Sequence, residues 1–147
     1  MKFYQCLEAE LFFAILPLDW QEQICPFWQD YKSSTLCFVL EENKQIVAGG
    51  LMFTKCTPDM LYAQNEADFW FEQGFAYLGF IYVIEAKRGQ NLGSIWLTEL
   101  KLRFPQGKFW LTIEDIGLHN FYVKNHFRYM KSLHHNSQVE RLYTYNK

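Results

Sequence analysis

Apolar and polar positions in the first third of the chain predict two helical stretches and a β-hairpin. The segment EAELFFAILPLDW begins with helical spacing and is broken at Pro17, and WQEQICPFWQDY is a second helical stretch that Pro26 interrupts. In STLCFVLEENKQIVAGGLMFT, two β-rich runs flank a polar turn at 41–44, which is the pattern of a hairpin. The pair Gly49-Gly50 predicts a bulge or a close backbone approach.

The middle of the chain combines an irregular segment with a long apolar run. Residues 55–75 include an aromatic cluster at 69–71, and we expect a long loop with a short helix there. The continuous apolar run AYLGFIYVIE is typical of a strand that is buried on both faces. After a short polar segment, SIWLTELKLRF repeats Leu97, Leu100 and Phe104 at helical spacing, which predicts a helix.

The last third of the chain predicts a strand, a helix and a closing strand. FWLTI and RLYTY have strand character, and LHNFYVKNHF places Leu118, Phe121, Tyr122 and Asn125 on one helical face. Asp115 stands where it can cap that helix. Two strands followed by the order β-α-β-α-β indicate an α/β (α+β) protein with a mixed sheet and covering helices. With 147 residues, the length favours a single domain over residues 1–147.

Charge is distributed unevenly along the chain. The formal net charge of −2 gives no indication of a nucleic-acid partner. Residues 56–86 contain five acids and no lysine or arginine, whereas residues 87–147 contain ten lysines and arginines and four acids. Such a distribution fits two ligands of opposite charge, although each charge taken alone is more typical of solvated surface. The acidic stretch is therefore a weak indication of a cationic ligand.

Cysteine and histidine positions predict neither disulfides nor a metal. The four cysteines form no C-x-x-C pair, and none has a histidine at the spacing of a zinc site. We interpret them as buried thiols in a reducing compartment. The run LFFAILPL is too short to span a membrane and follows acidic residues, so we predict a cytoplasmic protein with no membrane partner.

A glycine-containing loop lies between the predicted strand AYLGFIYVIE and the helix after it. RGQNLGS, residues 88–94, is explained either by a turn or by a phosphate site, because a helix N-terminus presents unpaired N–H groups and a positive dipole end. A P-loop requires Gly-Lys-Ser/Thr, but Gly93 is followed by Ser-Ile. The dinucleotide fingerprint G-x-G-x-x-G is also absent here.

Two segments together resemble the GNAT superfamily of acyl-CoA-dependent N-acetyltransferases. IYVIEAKRGQNLGS is similar to the family's strand followed by R-G-x-G-x-G, and FYVKNHF is similar to its helix with Tyr, three variable residues and Gly-Phe. The resemblance extends from about Thr35 to the C-terminus and is strongest over 78–127. Asn91 and His126 stand where the family has glycine, and both residue types tolerate left-handed conformations. Asp115 replaces a common asparagine and adds negative charge.

The resemblance implies a fold and a cosubstrate. We expect a mixed, mostly antiparallel central sheet with helices on both faces and a splayed strand pair at the cofactor site. Acetyl-CoA is the implied cosubstrate, without a metal: the loop binds its pyrophosphate through main-chain N–H groups, and Ile81 and Val83 bind its pantetheine arm through their main chains. Lys87 adds positive charge. The implied loop residues are Arg88, Gly89, Gln90, Asn91, Leu92, Gly93 and Ser94.

The same resemblance implies direct transfer of an acetyl group to an amine. Tyr122 matches the family's tyrosine that protonates the departing thiolate, although its spacing also fits a core tyrosine. The acceptor amine must lose a proton before it attacks, and Glu85 and Glu114 are the candidate bases, with a water relay as an alternative. The expected acceptor is a small-molecule or peptide amine, with a cationic one favoured, and the expected assembly is a monomer or homodimer. A non-catalytic module that binds acyl-CoA or a partner is the rival hypothesis.

Overall fold

The computed structural model describes all residues from Met1 to Lys147. Single-turn 3-10 helices lie at Cys25–Phe27, Lys32–Ser34, Glu85–Lys87 and Ile116–Leu118, and a longer one lies at Pro58–Ala63. The helices are α1 (Glu10–Phe13), α2 (Leu18–Ile24), α3 (Trp28–Tyr31), α4 (Gln64–Glu72), α5 (Leu92–Arg103) and α6 (His119–Lys124). The strands are β1 (Lys2–Gln5), β2 (Thr35–Glu42), β3 (Gln45–Phe53), β4 (Ala76–Val83), β5 (Lys108–Ile113), β6 (Arg128–His135) and β7 (Gln138–Asn146).

The strands form one seven-stranded sheet in the order β1-β2-β3-β4-β5-β7-β6. Neighbours pair antiparallel in the β1–β2, β2–β3, β5–β7 and β6–β7 ladders, and β4 pairs parallel with β5. This mixed, mostly antiparallel sheet with helices confirms the predicted fold class. The chain divides into two compact units, the first formed by 1–53 and 78–103 and the second by 54–77 and 104–147.

In the first unit, two adjacent glycines of β3 let helices pack closely on opposite faces of the strand. A Cβ atom at Gly49 would lie 2.6 Å from Phe12 of α1, and one at Gly50 would lie 2.7 Å from the Trp96 ring of α5. Because successive strand residues face opposite sides of a sheet, α1 and α5 cover opposite faces. The expected close approach is therefore confirmed. The bulge of this hairpin lies elsewhere, between Leu40 and Glu41.

In the second unit, aromatic side chains fill both faces of the sheet. The Trp110 ring packs against Phe71 of α4, with ring centroids 5.6 Å apart. On the other face, Tyr122 of α6 packs against Tyr143, with centroids 6.1 Å apart. Trp110 and Tyr143 occupy opposite faces because Tyr143 pairs with Leu111, the next residue along β5.

Three sequence predictions differ from the structure, and two strands had no prediction. Cys25 is exposed and Cys56 is half-buried, although all four cysteines were expected to be buried. β4 is not buried on both faces: residues 79–83 are half-buried, because β4 pairs with β5 only at Ala76 and Tyr77. β1 and β6 had no prediction, since β1 is four residues long and most of β6 is exposed. α6 is shorter than the pattern suggested, and Leu118 lies exposed in the 3-10 turn before it.

Candidate cofactor and acyl-transfer site

The connection between β4 and α5 contains two residues in the left-handed region. Gly89 has φ +80°, and a Cβ atom there would meet nothing within 4 Å. Glycine is therefore favoured at this position by the backbone conformation and not by a lack of space. Asn91 has φ +65°, as expected for an asparagine that replaces glycine. Leu92, the first residue of α5, is buried and anchors the loop to the core.

The loop presents a row of main-chain N–H groups without helical partners. A helix leaves its first main-chain N–H groups without a partner inside the helix, and the ladder of α5 begins where the Ile95 N–H donates to the Asn91 carbonyl at 3.0 Å. Residues 89–91 are exposed. A 12-residue helix adds a positive dipole end at this point, so the loop can bind an anion.

Two cations beside the loop differ in availability. Lys87 Nζ lies 2.7 Å from Glu42 Oε1, so its charge is balanced by an ion pair. Arg88 Nε donates to the Val83 carbonyl at 3.2 Å, and its guanidinium lies 5.4 Å from the centroid of the Tyr82 ring. Arg88 has no carboxylate in these contacts, so its charge is the one that an anion at the loop can use.

The main chain of β4 presents alternate residues to its two edges. The Ile84 N–H donates to the Val47 carbonyl of β3 at 3.0 Å. Along a strand, neighbouring residues direct their main-chain groups to opposite edges, so the groups of Val83 and Ile81 lie on the edge away from β3. Phe80 interrupts the regular strand with φ +56°, a value that bulky residues rarely adopt.

Helix α5 is fixed to the hairpin by buried contacts. Trp96 is 1% exposed, and its Nε1–H donates to the Phe38 carbonyl at 2.9 Å. Leu97 and Leu100, two residues of the predicted stripe, are also buried. These contacts fix the N-terminus of α5, and with it the loop.

Tyr122 lies in an aromatic environment on α6. Its side chain is buried against Phe127, with ring centroids 5.6 Å apart, and burial raises the pKa of its hydroxyl. The helix ends at a turn in which His126 has φ +71°, a left-handed conformation that histidine tolerates better than most residues. Asp115 Oδ1 accepts a hydrogen bond from the Gly117 N–H at 2.9 Å, so Asp115 caps the 3-10 turn before α6.

Both carboxylates that the sequence offered as candidate general bases are exposed. Glu85 lies in the 3-10 turn after β4, and Glu114 directly follows β5. Glu140 of β7 had no prediction, although it is half-buried and interacts with the hydroxyls of Thr112 and Tyr62. No local pattern identifies it, because Tyr62 is far away along the chain.

The two histidines near α6 show no arrangement typical of a metal site. His119 Nδ1 and the Tyr143 hydroxyl are 2.6 Å apart in a hydrogen bond, and His126 is exposed at the end of α6. No group of three or more His, Cys, Asp or Glu side chains is arranged to hold a metal ion.

Comparison with known protein families agrees with this arrangement. The sequence profile of the Acetyltransferase (GNAT) family matches residues 3–127. The chain belongs to the GNAT family. A search of curated proteins finds no match. The GNAT match includes the loop 88–94 and α6, which are the two segments that carried the sequence resemblance.

Solved GNAT structures share the fold over nearly the whole chain. An aminoglycoside 6′-N-acetyltransferase complexed with coenzyme A is 10% identical, with a TM-score of 0.73, and 99% of this chain and 97% of that one are covered. A GNAT acetyltransferase from Elizabethkingia anophelis with acetyl-CoA bound is 12% identical (TM-score 0.65, coverage 99% and 97%). A ribosomal-protein-alanine N-acetyltransferase from Brucella melitensis is 15% identical (TM-score 0.66, coverage 100% of both). In the present structure, no helix has the length and apolarity needed to cross a membrane.

Proposed function

We propose that this GNAT protein transfers an acetyl group from acetyl-CoA to an amine. The observation that carries the proposal is the row of main-chain N–H groups at the N-terminus of a 12-residue helix, which have no partner inside the helix and follow the exposed residues 89–91. Such a row binds a pyrophosphate without any specialised side chain. Membership of the GNAT family supports the same cosubstrate.

The residues present fit coenzyme A at two further points. Arg88 supplies positive charge beside the loop, since Lys87 is already paired with Glu42. Ile81 offers its main-chain groups and Val83 its N–H on the edge of β4 away from β3, while the Val83 carbonyl accepts from Arg88. Main-chain groups of this kind suit the amide-containing pantetheine arm. Gln90, Asn91, Leu92 and Ser94 complete the proposed loop site through their main chains.

The reaction requires a proton to leave the amine and another to reach the leaving sulfur. When bound, acetyl-CoA supplies the acetyl group as a thioester. Tyr122 is the proposed donor to the departing thiolate, and its raised pKa keeps the hydroxyl protonated at neutral pH. The proton of the acceptor amine goes to Glu85, to Glu114 or to water. A cytoplasmic location and a monomeric or dimeric state remain predictions.

Replacement of Gly93 tests the loop directly. Gly93→Val should weaken CoA binding more than tenfold, because a branched side chain obstructs close approach to the main chain. Thr98→Val is the matched control, since Thr98 is an exposed residue of the same helix. The measurement is calorimetric titration of CoA into wild-type protein and both variants, with folding checked by circular dichroism. Equal affinity in folded Gly93→Val and wild-type protein would exclude the proposed pyrophosphate site.

A further inference from the structure

Two buried cysteines stand opposite each other where strands β1 and β2 pair in the first unit. The ladder places Gln5 opposite Phe38, so Cys6, the next residue after β1, stands opposite Cys37. The Cys6 N–H donates to the Cys37 carbonyl at 2.8 Å, so the two main chains are still paired at this position. Opposite residues of an antiparallel pair point to the same face of the sheet, so both thiols lie on one side.

This pairing sets a separation that a disulfide can span. Directly opposite residues of antiparallel strands have Cα atoms about 4.5–5.5 Å apart, and disulfides join cysteines whose Cα atoms are about 4.4–6.8 Å apart. Cys6 and Cys37 are free thiols in this structure, and their side chains interact by a hydrogen bond. The pair is therefore a reduced dithiol that can close with little movement of the main chain.

The surroundings make the two thiols chemically unequal. The hydrogen bond from Cys37 lowers the pKa of Cys6 to about 7 against the opposing effect of burial, and a hydrogen bond with the main chain of Glu8 acts in the same direction. The same contact between the thiols, followed by burial, raises the pKa of Cys37. Because the thiolate is the reactive form of cysteine, Cys6 is the nucleophile of the pair and Cys37 is the partner that stays protonated.

The position of Cys6 at an edge of the sheet gives access to a small reagent only. β1 is the terminal strand of the sheet and has four residues, and a short edge strand opens locally at a lower free energy than a central one. Cys6 is 6% exposed, and Leu7, which follows it, is 88% exposed. Hydrogen peroxide, which is little larger than water, is therefore a suitable oxidant, whereas a bulky disulfide is not.

We propose that Cys6 and Cys37 form a peroxide-sensitive redox site that closes to an intramolecular disulfide. The Cys6 thiolate attacks one oxygen of hydrogen peroxide, the O–O bond breaks, and the products are a sulfenic acid and a hydroxide that takes up a proton to become water. The Cys37 sulfur then attacks the sulfenic sulfur, and the S–O bond breaks. The leaving oxygen departs as a second water with the proton of Cys37, so the two sulfurs together give two electrons to one peroxide.

Mass spectrometry of peroxide-treated protein tests the redox site. Folded wild-type protein is treated with a small excess of hydrogen peroxide, denatured and alkylated, and we expect two of its four cysteines to escape alkylation. Digestion without reductant should then give one peptide pair that joins Cys6 to Cys37, and dithiothreitol should restore both thiols. Alkylation of both Cys6 and Cys37 after treatment, or a bridge from either of them to Cys25 or Cys56, overturns the proposal.

Matched serine variants test the separate roles of the two thiols. Cys37→Ser keeps a hydrogen-bond donor beside Cys6 but cannot form the bridge, so peroxide should leave a sulfenic acid on Cys6 that dimedone labels. Cys6→Ser removes the nucleophile, and Cys37 should then stay unlabelled because its pKa is raised. Circular dichroism confirms that both variants are folded. Labelling of Cys37 in Cys6→Ser, or none of Cys6 in Cys37→Ser, contradicts the proposed order of reaction.

The bridge should also stabilise the folded protein. It would join the two ends of the segment from residue 6 to residue 37, which contains helices α1, α2 and α3, and a disulfide that closes a long loop restricts the unfolded chain. The melting temperature of wild-type protein should therefore rise by several degrees after peroxide treatment and return with dithiothreitol, while that of Cys37→Ser should not rise. A lower melting temperature in the bridged protein would show that the bridge strains the native pairing of β1 and β2, which contradicts the inferred geometry.

Discussion

At the scale of single residues, the sequence predicted left-handed backbone conformations better than it predicted the partners of charged side chains. Asn91 and His126 replace glycines of the family pattern, and both adopt positive φ, as the tolerance of these residue types for left-handed backbone suggested. Glu140 was missed because its partners Thr112 and Tyr62 come together only through strand register and the packing of the 3-10 helix. Lys87 was expected to add charge at the loop, but Glu42 neutralises it.

The proposed role of Tyr122 gives a prediction at this scale. Tyr122→Phe removes one hydroxyl and keeps the ring that packs against Phe127. Turnover should fall by about 10²–10⁴-fold, the usual contribution of a general acid. Acetyl-CoA affinity and melting temperature should not change. Tyr129→Phe, at an exposed tyrosine, is the control. Lower stability with normal turnover would make Tyr122 a core residue and remove it from the mechanism.

At the scale of elements, helices and strands with a strong hydrophobic pattern could be predicted, and those with a weak or irregular pattern could not. The hairpin β2–β3, helix α5 and strand β5 follow from spacing and from turn residues. The exposed edge strand β6 has no hydrophobic signal, and the half-buried state of β4 depends on where its pairing with β5 ends. The positive φ of Phe80 has no local signal either, because a bulky aromatic residue ordinarily avoids that conformation.

Salt dependence should reveal which cation serves the β4–α5 loop. CoA affinity should fall as ionic strength rises, since salt screens exposed charges. Arg88→Gln should flatten that dependence, and Lys87→Gln should change it less, because Lys87 is paired with Glu42. The measurement is CoA titration at several salt concentrations for wild-type protein and both variants. A wild-type affinity that is independent of salt would mean that neither residue faces the bound anion.

The contact between α5 and the hairpin gives a prediction on stability. A side chain at Gly50 would collide with the Trp96 ring, so Gly50→Val should lower the free energy of unfolding by about 1–3 kcal/mol. Gln45→Val, at an exposed position of the same strand, is the control. Urea denaturation measures both variants. An unchanged midpoint for Gly50→Val would show that α5 does not depend on this close contact.

At the scale of the whole molecule, buried tyrosines predict sensitivity to alkaline pH. Burial is the main cause that raises the pKa of Tyr62, Tyr77 and Tyr122, and burial followed by a hydrogen bond with Glu41 raises the pKa of Tyr4 to about 12. In the unfolded chain these hydroxyls ionise near pH 10. Their contribution to stability is therefore complete below about pH 10 and is lost as the pH rises through the raised folded values. Melting temperature should fall over that range, and a constant melting temperature up to about pH 11.5 would contradict the burial of these side chains.

The central claim concerns catalysis as well as binding, and thiol release from acetyl-CoA across a panel of amines tests it most directly. The panel should contain monoamines, diamines and peptide amines, with the acetylated amine identified by mass. We predict thiol release that requires both protein and amine, and an equal amount of acetylated amine. CoA binding without amine-dependent thiol release for any amine would contradict the account and favour the non-catalytic acyl-CoA-binding module.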